Sequence, residues 1–321
     1  MKRLLRHMPF ILVLGALIGL GGCASNRPQA IQANEYRKML ERQKAEQLSE
    51  PKATEKIPEM TADDYERLGD RYLSQGNLDM AFIQYQKALG FDSDPVRIHH
   101  KLGILFLEKG LLREAEAEFQ QVLNSKPNDA SIHEGLGKVA FRMDRFEEAE
   151  RSFQRALQLN AGLWQAHNYL GVIYDRQGRY DDAIRQFQAA ISLRPDEALL
   201  YNNLGMSLLL KKDPEKALRA FQEGAKIGGI PPKMHNNLAL ALCKVGRYRE
   251  ALEALKKSGD EASAYYRLGN IYLAQGKYKE AAESFEKAIE LKPAFHVKAY
   301  EKKRQALAAL ALSAGDATTE R

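Results

Sequence analysis

Four histidines fall in step along this chain. His99, His133 and His167 are 34 residues apart, and His235 follows two such steps later. Imidazoles at a fixed interval suggest a row of metal ligands. Zinc, however, needs its ligand atoms within about 2.1 Å of one ion, whereas even adjacent packed helices stand about 8–10 Å apart. Tyr65, Tyr201 and Tyr265 hold the same place elsewhere in the sequence. The imidazoles are therefore expected to fill a packing slot, and no metal or cofactor is expected. Asparagines share the rhythm: Asn168, Asn202 and Asn236, with Asn203 and Asn237 beside the last two. A carboxamide offers both a donor and an acceptor. Such a row suits either the backbone of an extended peptide or hydrogen bonds between neighbouring helices, and the sequence leaves both open. There is no Gly-x-Ser-x-Gly elbow, phosphate-cradling glycine loop or zinc-protease helix motif. Binding, not catalysis, is the expected class of function.

The elements that position these residues follow from the same rhythm. Gly69, Gly103, Gly137, Gly171 and Gly205 recur every 34 residues, then Ala239, then Gly269 after 30. A fixed period of this length marks a repeat solenoid. With the glycine as position 8, the fourth repeat reads Leu170, Gly171, Tyr174, Gly178, Ala183, Phe187, Ala190 and Pro195, at positions 7, 8, 11, 15, 20, 24, 27 and 32. Positions 4, 7, 8 and 11 share one helix face, and positions 20, 24 and 27 share another. Gly178 and Gly276 are expected to close first helices as left-handed caps, and Asp213-Pro214 to open a second helix. The expected fold is all-α, an array of antiparallel helix pairs over 62–95, 96–129, 130–163, 164–197, 198–231, 232–261 and 262–295. The sixth repeat is four residues short, and Gly228 to Pro232 breaks the helices before it; a local change of direction and a second helix clipped near Ser258-Gly259 are expected there. Residues 296–313 read as a polar-faced capping helix and 314–321 as a frayed tail.

The pattern resembles the tetratricopeptide repeat (TPR) family over about residues 62–295. That resemblance implies an α-solenoid with a right-handed superhelix, first helices lining a groove, and ligand contact from positions 2, 5, 6, 9, 12 and 13. The asparagines then lie at positions 5 and 6. Leu199, Met206 and Leu210 form a stripe at positions 2, 9 and 13 of repeat five, joined by Leu240, Tyr266 and Leu273. Repeats one to three are charged there instead, with Asp63, Glu66, Asp70, Arg97, Lys101, Lys138 and Arg142. The repeated Lys-Asn clamp that takes C-terminal carboxylates is absent.

The N-terminus carries the expected address. Lys2, Arg3 and Arg6 precede an apolar run, Pro9 to Leu20, too short to span a bilayer and suited to a signal peptide. It ends Leu20-Gly21-Gly22-Cys23, which resembles a bacterial lipobox. That implies cleavage of residues 1–22 and acylation of Cys23, with chains such as palmitate; several acyl chains anchor stably. Ala24 in place of Asp favours the inner leaflet of the outer membrane, facing the periplasm. Residues 23–61 read as a tether reaching roughly 35 Å on average. Cleavage lowers the net charge from +6 to +3, which gives no argument for nucleic acid. Cys243, with no thiol partner left, is expected to pack. The short sixth repeat, with Asn236-Asn237-Leu238-Ala239 and Gly246-Arg247-Tyr248, resembles TadD-like tight-adherence (Flp) pilus lipoproteins, related to type IV pilotins. This implies a scaffold that holds an extended segment of an envelope protein in repeats four to seven while a pilus or secretin-type secretion machine assembles. An adaptor for peptidoglycan hydrolases, as in NlpI-type lipoproteins, or an exopolysaccharide-export partner are the alternatives.

Overall fold

The computed structural model describes residues 60–91, 94–227, 232–293 and 296–319. The signal peptide, Cys23, the tether up to residue 59 and the breaker cluster 228–231 lie outside these residues. Fifteen helices and no strand occur among the described residues. In chain order they are α1 Ala62–Ser74, α2 Leu78–Leu89, α3 Pro95–Lys109, α4 Leu112–Ser125, α5 Ala130–Arg142, α6 Phe146–Leu159, α7 Trp164–Arg176, α8 Tyr180–Leu193, α9 Ala198–Leu210, α10 Pro214–Lys226, α11 Pro232–Lys244, α12 Tyr248–Lys256, α13 Glu261–Ala274, α14 Tyr278–Leu291 and α15 His296–Thr319. None of the described helices is long and apolar enough to cross a membrane. The chain divides into two compact units, Met1–Ala166 and His167–Arg321.

Local chemistry sets the helix ends. Thr61 closes a capping box with Asp64 at the start of α1, satisfying two otherwise orphaned backbone donors. Asp94, Asp129, Asp213 and Asp260 cap α3, α5, α10 and α13 through side-chain bonds to backbone N–H groups. Position 15 turns the chain from first to second helix, and in all seven repeats its residue is left-handed. It is Gly76, Gly110, Gly178, Gly246 and Gly276 in five of them, but Asp144 (φ 58°) and Lys212 (φ 66°) in the third and fifth. A Cβ disfavours that conformation, so these two repeats keep the turn at a cost.

In six of the seven repeats, position 8 lies against the ring at position 24. A Cβ on Gly103 would stand 2.6 Å from Phe119, one on Gly205 2.5 Å from Phe221, and one on Gly269 2.8 Å from Phe285. Repeat six changes both partners together. Ala239 brings the extra methyl, Leu255 replaces the ring, and both are buried. Its second helix, α12, is only nine residues long.

The first unit's core runs through Tyr85, Ile98, Leu102, Phe119 and Ile132. The second has one core through Leu208, Phe221, Leu242, Leu255 and Leu268 and a terminal cluster of Ala281, Phe285 and Ala306. Ala306 on α15 thus covers the last repeat. That helix continues past the boundary expected at residue 313, so the tail expected to fray is helical through Thr319. The segment holds Ala314 and Ala317 and no proline; alanine is the strongest helix former, and nothing there stops the helix.

Candidate protein-binding site

The asparagines pair with one another from repeat to repeat. Asn203 Nδ2 donates to Asn168 Oδ1 at 2.9 Å, and Asn237 Nδ2 donates to Asn202 Oδ1 at 2.7 Å. Each bond joins position 5 of one repeat to position 6 of the next, 35 residues on. The third rung keeps the rule with a different donor: Arg267 Nη1 donates to Asn236 Oδ1 at 3.0 Å, 31 residues on because repeat six is short. Ser258, just past the clipped α12, accepts from Arg267, donates to the Leu255 carbonyl at 2.7 Å and lies 3.2 Å from Asn236 Oδ1. Of the two uses left open for the asparagines, interhelical pairing is therefore occupied. Asn168 and Asn237 keep hydrogen-bonding capacity beyond these bonds, whereas Asn236 Oδ1 meets both Arg267 and Ser258 and Asn202 Nδ2 lies 3.4 Å from Asn203 Oδ1.

The first unit uses the same slot with charge. Glu66, at position 5 of repeat one, meets Lys101, at position 6 of repeat two, at 2.9 Å. Around this pair Arg97 reaches Glu66 at 2.6 Å and Asp63 at 2.8 Å, and Lys101 reaches Asp70 at 2.5 Å. Glu66 is buried, so the two cations hold a carboxylate largely withdrawn from water. Lys138 bonds Gln165 at 2.6 Å and Glu134 at 3.2 Å, and Arg142 caps the Leu107 carbonyl. The charges expected to face a ligand in repeats one to three are thus largely committed to one another. The interval of 35 between complementary residues at positions 5 and 6 was the sequence signal for both ladders.

Three of the four histidines are committed locally, while the buried Nδ1 of His235 has no hydrogen-bond partner among the described residues. His99 Nδ1 lies 2.6 Å from Glu118 Oε2 and His167 Nδ1 2.7 Å from Gln186 Oε1, each pairing position 4 with position 23 of its own repeat. His133 Nε2 lies 2.9 Å from the Pro127 carbonyl, and Tyr201 donates to the Pro195 carbonyl in the same way. Among the described residues no three His, Cys, Asp or Glu groups stand where they would share a metal ion. Cys243 is buried, and burial pushes its thiol up to about 12, far from the thiolate that redox chemistry needs.

The apolar stripe divides. Leu199 is 49% exposed. Leu210 and Leu240 are half-buried. Met206 is half-buried against the second unit's core. Tyr266 turns into its own repeat, with its ring 5.7 Å from that of Phe285, and Leu273 packs on the same cluster. The spacing of Tyr266 placed it on the groove side, but the ring finds its partner on α14. One acid belongs to this region. Asp175 accepts from Ser207 Oγ at 2.6 Å through Oδ2, while its Oδ1 is buried with no partner. Burial without a neighbouring cation raises its carboxyl to about 6.

What this arrangement offers is an amide-paired, largely uncharged helix face with an exposed leucine. The family described as the cilia and flagella-associated protein 70 C-terminal domain matches residues 29–264, and the tetratricopeptide repeat family matches residues 262–295. A tetratricopeptide repeat protein from Parabacteroides merdae is 18% identical with a TM-score of 0.53, over 77% of this chain and 98% of its own. The pilF structure from Pseudomonas aeruginosa is 19% identical with a TM-score of 0.51, over 67% and 97%. Both likenesses are of fold. No curated protein matches the sequence. Proteins of this architecture are scaffolds for protein–protein interaction and are generally not catalysts. The chain is a tetratricopeptide-repeat protein, and it belongs to the family described as the cilia and flagella-associated protein 70 C-terminal domain.

Proposed function

We propose that this chain is a lipid-anchored scaffold on the periplasmic side of the outer membrane. It holds an extended segment of an envelope protein on the first helices of repeats five to seven and so assists assembly of a pilus or secretin-type machine. The observation that carries the binding half is α9. Its thirteen residues include no charge, and Leu199 stands exposed on it in line with half-buried Met206 and Leu210. An uncharged helix face with exposed apolar area favours an interface. The anchoring half rests on Leu20-Gly21-Gly22-Cys23 behind a short apolar run, and the pilus reading on the local sequence likeness around 236–248.

The paired asparagines change how the site is tested. Their removal perturbs the stack itself, so Leu199 is the cleaner probe. In cells carrying the full chain with a photocrosslinker at position 199, the crosslinked species should include a pilus or secretion component. Substitution Leu199→Asp should abolish its recovery without moving the thermal midpoint. Recovery of peptidoglycan hydrolases alone would replace the assembly reading with the adaptor reading. Metabolic labelling with a palmitate analogue, lost in Cys23→Ser, checks the anchor separately.

A further inference from the structure

We infer that the partner segment held by repeats five to seven is acidic, and that Arg267 receives one of its side-chain carboxylates. This rests on the peptide-binding reading above and adds the chemistry of the ligand. The argument is one of charge. Helix α9 has no charged residue and α11 has no acid. The single acid of α13, Glu261, is already paired with Lys256 at 3.0 Å. Apart from Asp175, buried against Ser207 of α9, what remains on this face is positive. The Arg267 guanidinium, half-buried at position 6 of repeat seven, is held by two neutral oxygens, Asn236 Oδ1 and Ser258 Oγ. Among the described residues no carboxylate pairs with it.

The cations around the same slot of the first unit are neutralised: Arg97 and Lys101 share three carboxylates. Arg267 breaks that rule where the array itself is altered. The clipped α12 leaves Ser258 and Gly259 beside the guanidinium, with Nη2 only 3.9 Å from where a Cβ on Gly259 would lie. Exposed Lys244 at position 13 of repeat six, and exposed Lys257 at the end of α12, add charge without a carboxylate partner among the described residues. Lys257 also helps hold His235 below its usual pKa, after burial, so the surroundings of this node are positive. An arginine fork fixed by two neutral acceptors keeps donors free for a bidentate carboxylate. The exposed Leu199 on α9 asks for apolar side chains in the same segment. An extended peptide alternating acidic and apolar residues satisfies both.

Fluorescence anisotropy of the full chain with three labelled ten-residue peptides tests this: alternating Leu-Glu, alternating Leu-Gln and alternating Leu-Lys. The Leu-Glu peptide should bind about tenfold more tightly than Leu-Gln, as a hydrogen-bonded charge pair implies, and Leu-Lys should bind weakest. Arg267→Gln should bring the ratio of Leu-Glu to Leu-Gln affinity, read within the same variant, from about tenfold to about one, and Arg267→Lys should restore part of it. Lys244→Gln, at an exposed position, should reduce the preference by about twofold, as rim charges do. Equal binding of Leu-Glu and Leu-Gln, or an undiminished preference in Arg267→Gln, would overturn the acidic specificity and leave the peptide groove standing. If none of the three peptides bound, both readings would fall.

Discussion

The two units solve one problem with different chemistry. Each ties position 5 of a repeat to position 6 of the next, the first unit between repeats one and two and the second at three successive steps. The first unit does so with Glu66 and Lys101, inside a cluster that includes Asp63, Asp70 and Arg97. The second does so with Asn168–Asn203, Asn202–Asn237 and Asn236–Arg267. The geometry of the slot is thus set by the helix pairs, and the slot accepts any complementary donor and acceptor. What differs is the field that each ladder leaves behind. Charge pairs consume the cations and acids of the first unit. Neutral amides leave Asp175, bonded to Ser207, as the acid among them, so Arg267 stands out.

The largest effects should be common to both regions, because the packing beneath the ladders is the same. Gly103→Ala and Gly205→Ala each drive a methyl into a buried ring and should cost about 2 kcal/mol in chemical denaturation, within the range for overpacking. Pairing Gly205→Ala with Phe221→Leu copies Ala239 and Leu255 of repeat six and should recover most of the loss. Failure of that rescue would show that repeat six differs in more than one packing pair.

Asp175 is the exception that sharpens the contrast, a charged group among amides. Its carboxyl is raised from 3.8 to about 6 by burial. Folding therefore favours the protonated form. Its contribution to stability is greatest below the unfolded value and declines as pH rises from about 4 through about 6. Asp175→Asn should remove that decline and raise stability at pH 7.5 by about 2 kcal/mol, with little gain at pH 4. Denaturation curves at the two pH values decide it, and an Asn variant no more stable at pH 7.5 would refute the uncompensated burial of Asp175.

Breaking one rung of each ladder should cost less, and the salt response should separate them. Glu66→Gln and Asn202→Ala should each lose about 1 kcal/mol, the net worth of a typical hydrogen bond. The gap between Glu66→Gln and the parent should narrow in about 0.5 M salt as screening weakens charge pairs. The gap for Asn202→Ala should stay fixed. Equal salt responses would erase the distinction between the two ladders. The smallest change is a gain: Asp144→Gly in the first unit and Lys212→Gly in the second relieve left-handed backbone and should each add somewhat under about 1 kcal/mol to the thermal stability.

Much of the scaffold is written residue by residue. The step of 34, the left-handed closure at Gly178 and Gly276, the Asp213-Pro214 start and the shortened helix before Ser258 all depend on neighbours in sequence. The candidate site was legible only as a set of positions. Asn168, Asn202 and Asn236 could be placed on first helices, but not paired. Asn203 and Asn237 complete bonds that span 35 residues, and which of several polar partners a helix meets depends on how the next repeat is seated. Likewise Tyr266 shares the spacing of the stripe yet lies on Phe285, and Leu199 keeps its exposure.

The sequence by itself determined the repeat, its helix ends and its one irregular step, because these follow from short-range sterics and periodic burial. The tertiary structure alone decided which polar groups are satisfied within the stack and which remain for a partner. That is a question of distances between helices that are far apart in the chain, and it separates Arg97, held by carboxylates, from Arg267, held by neutral oxygens.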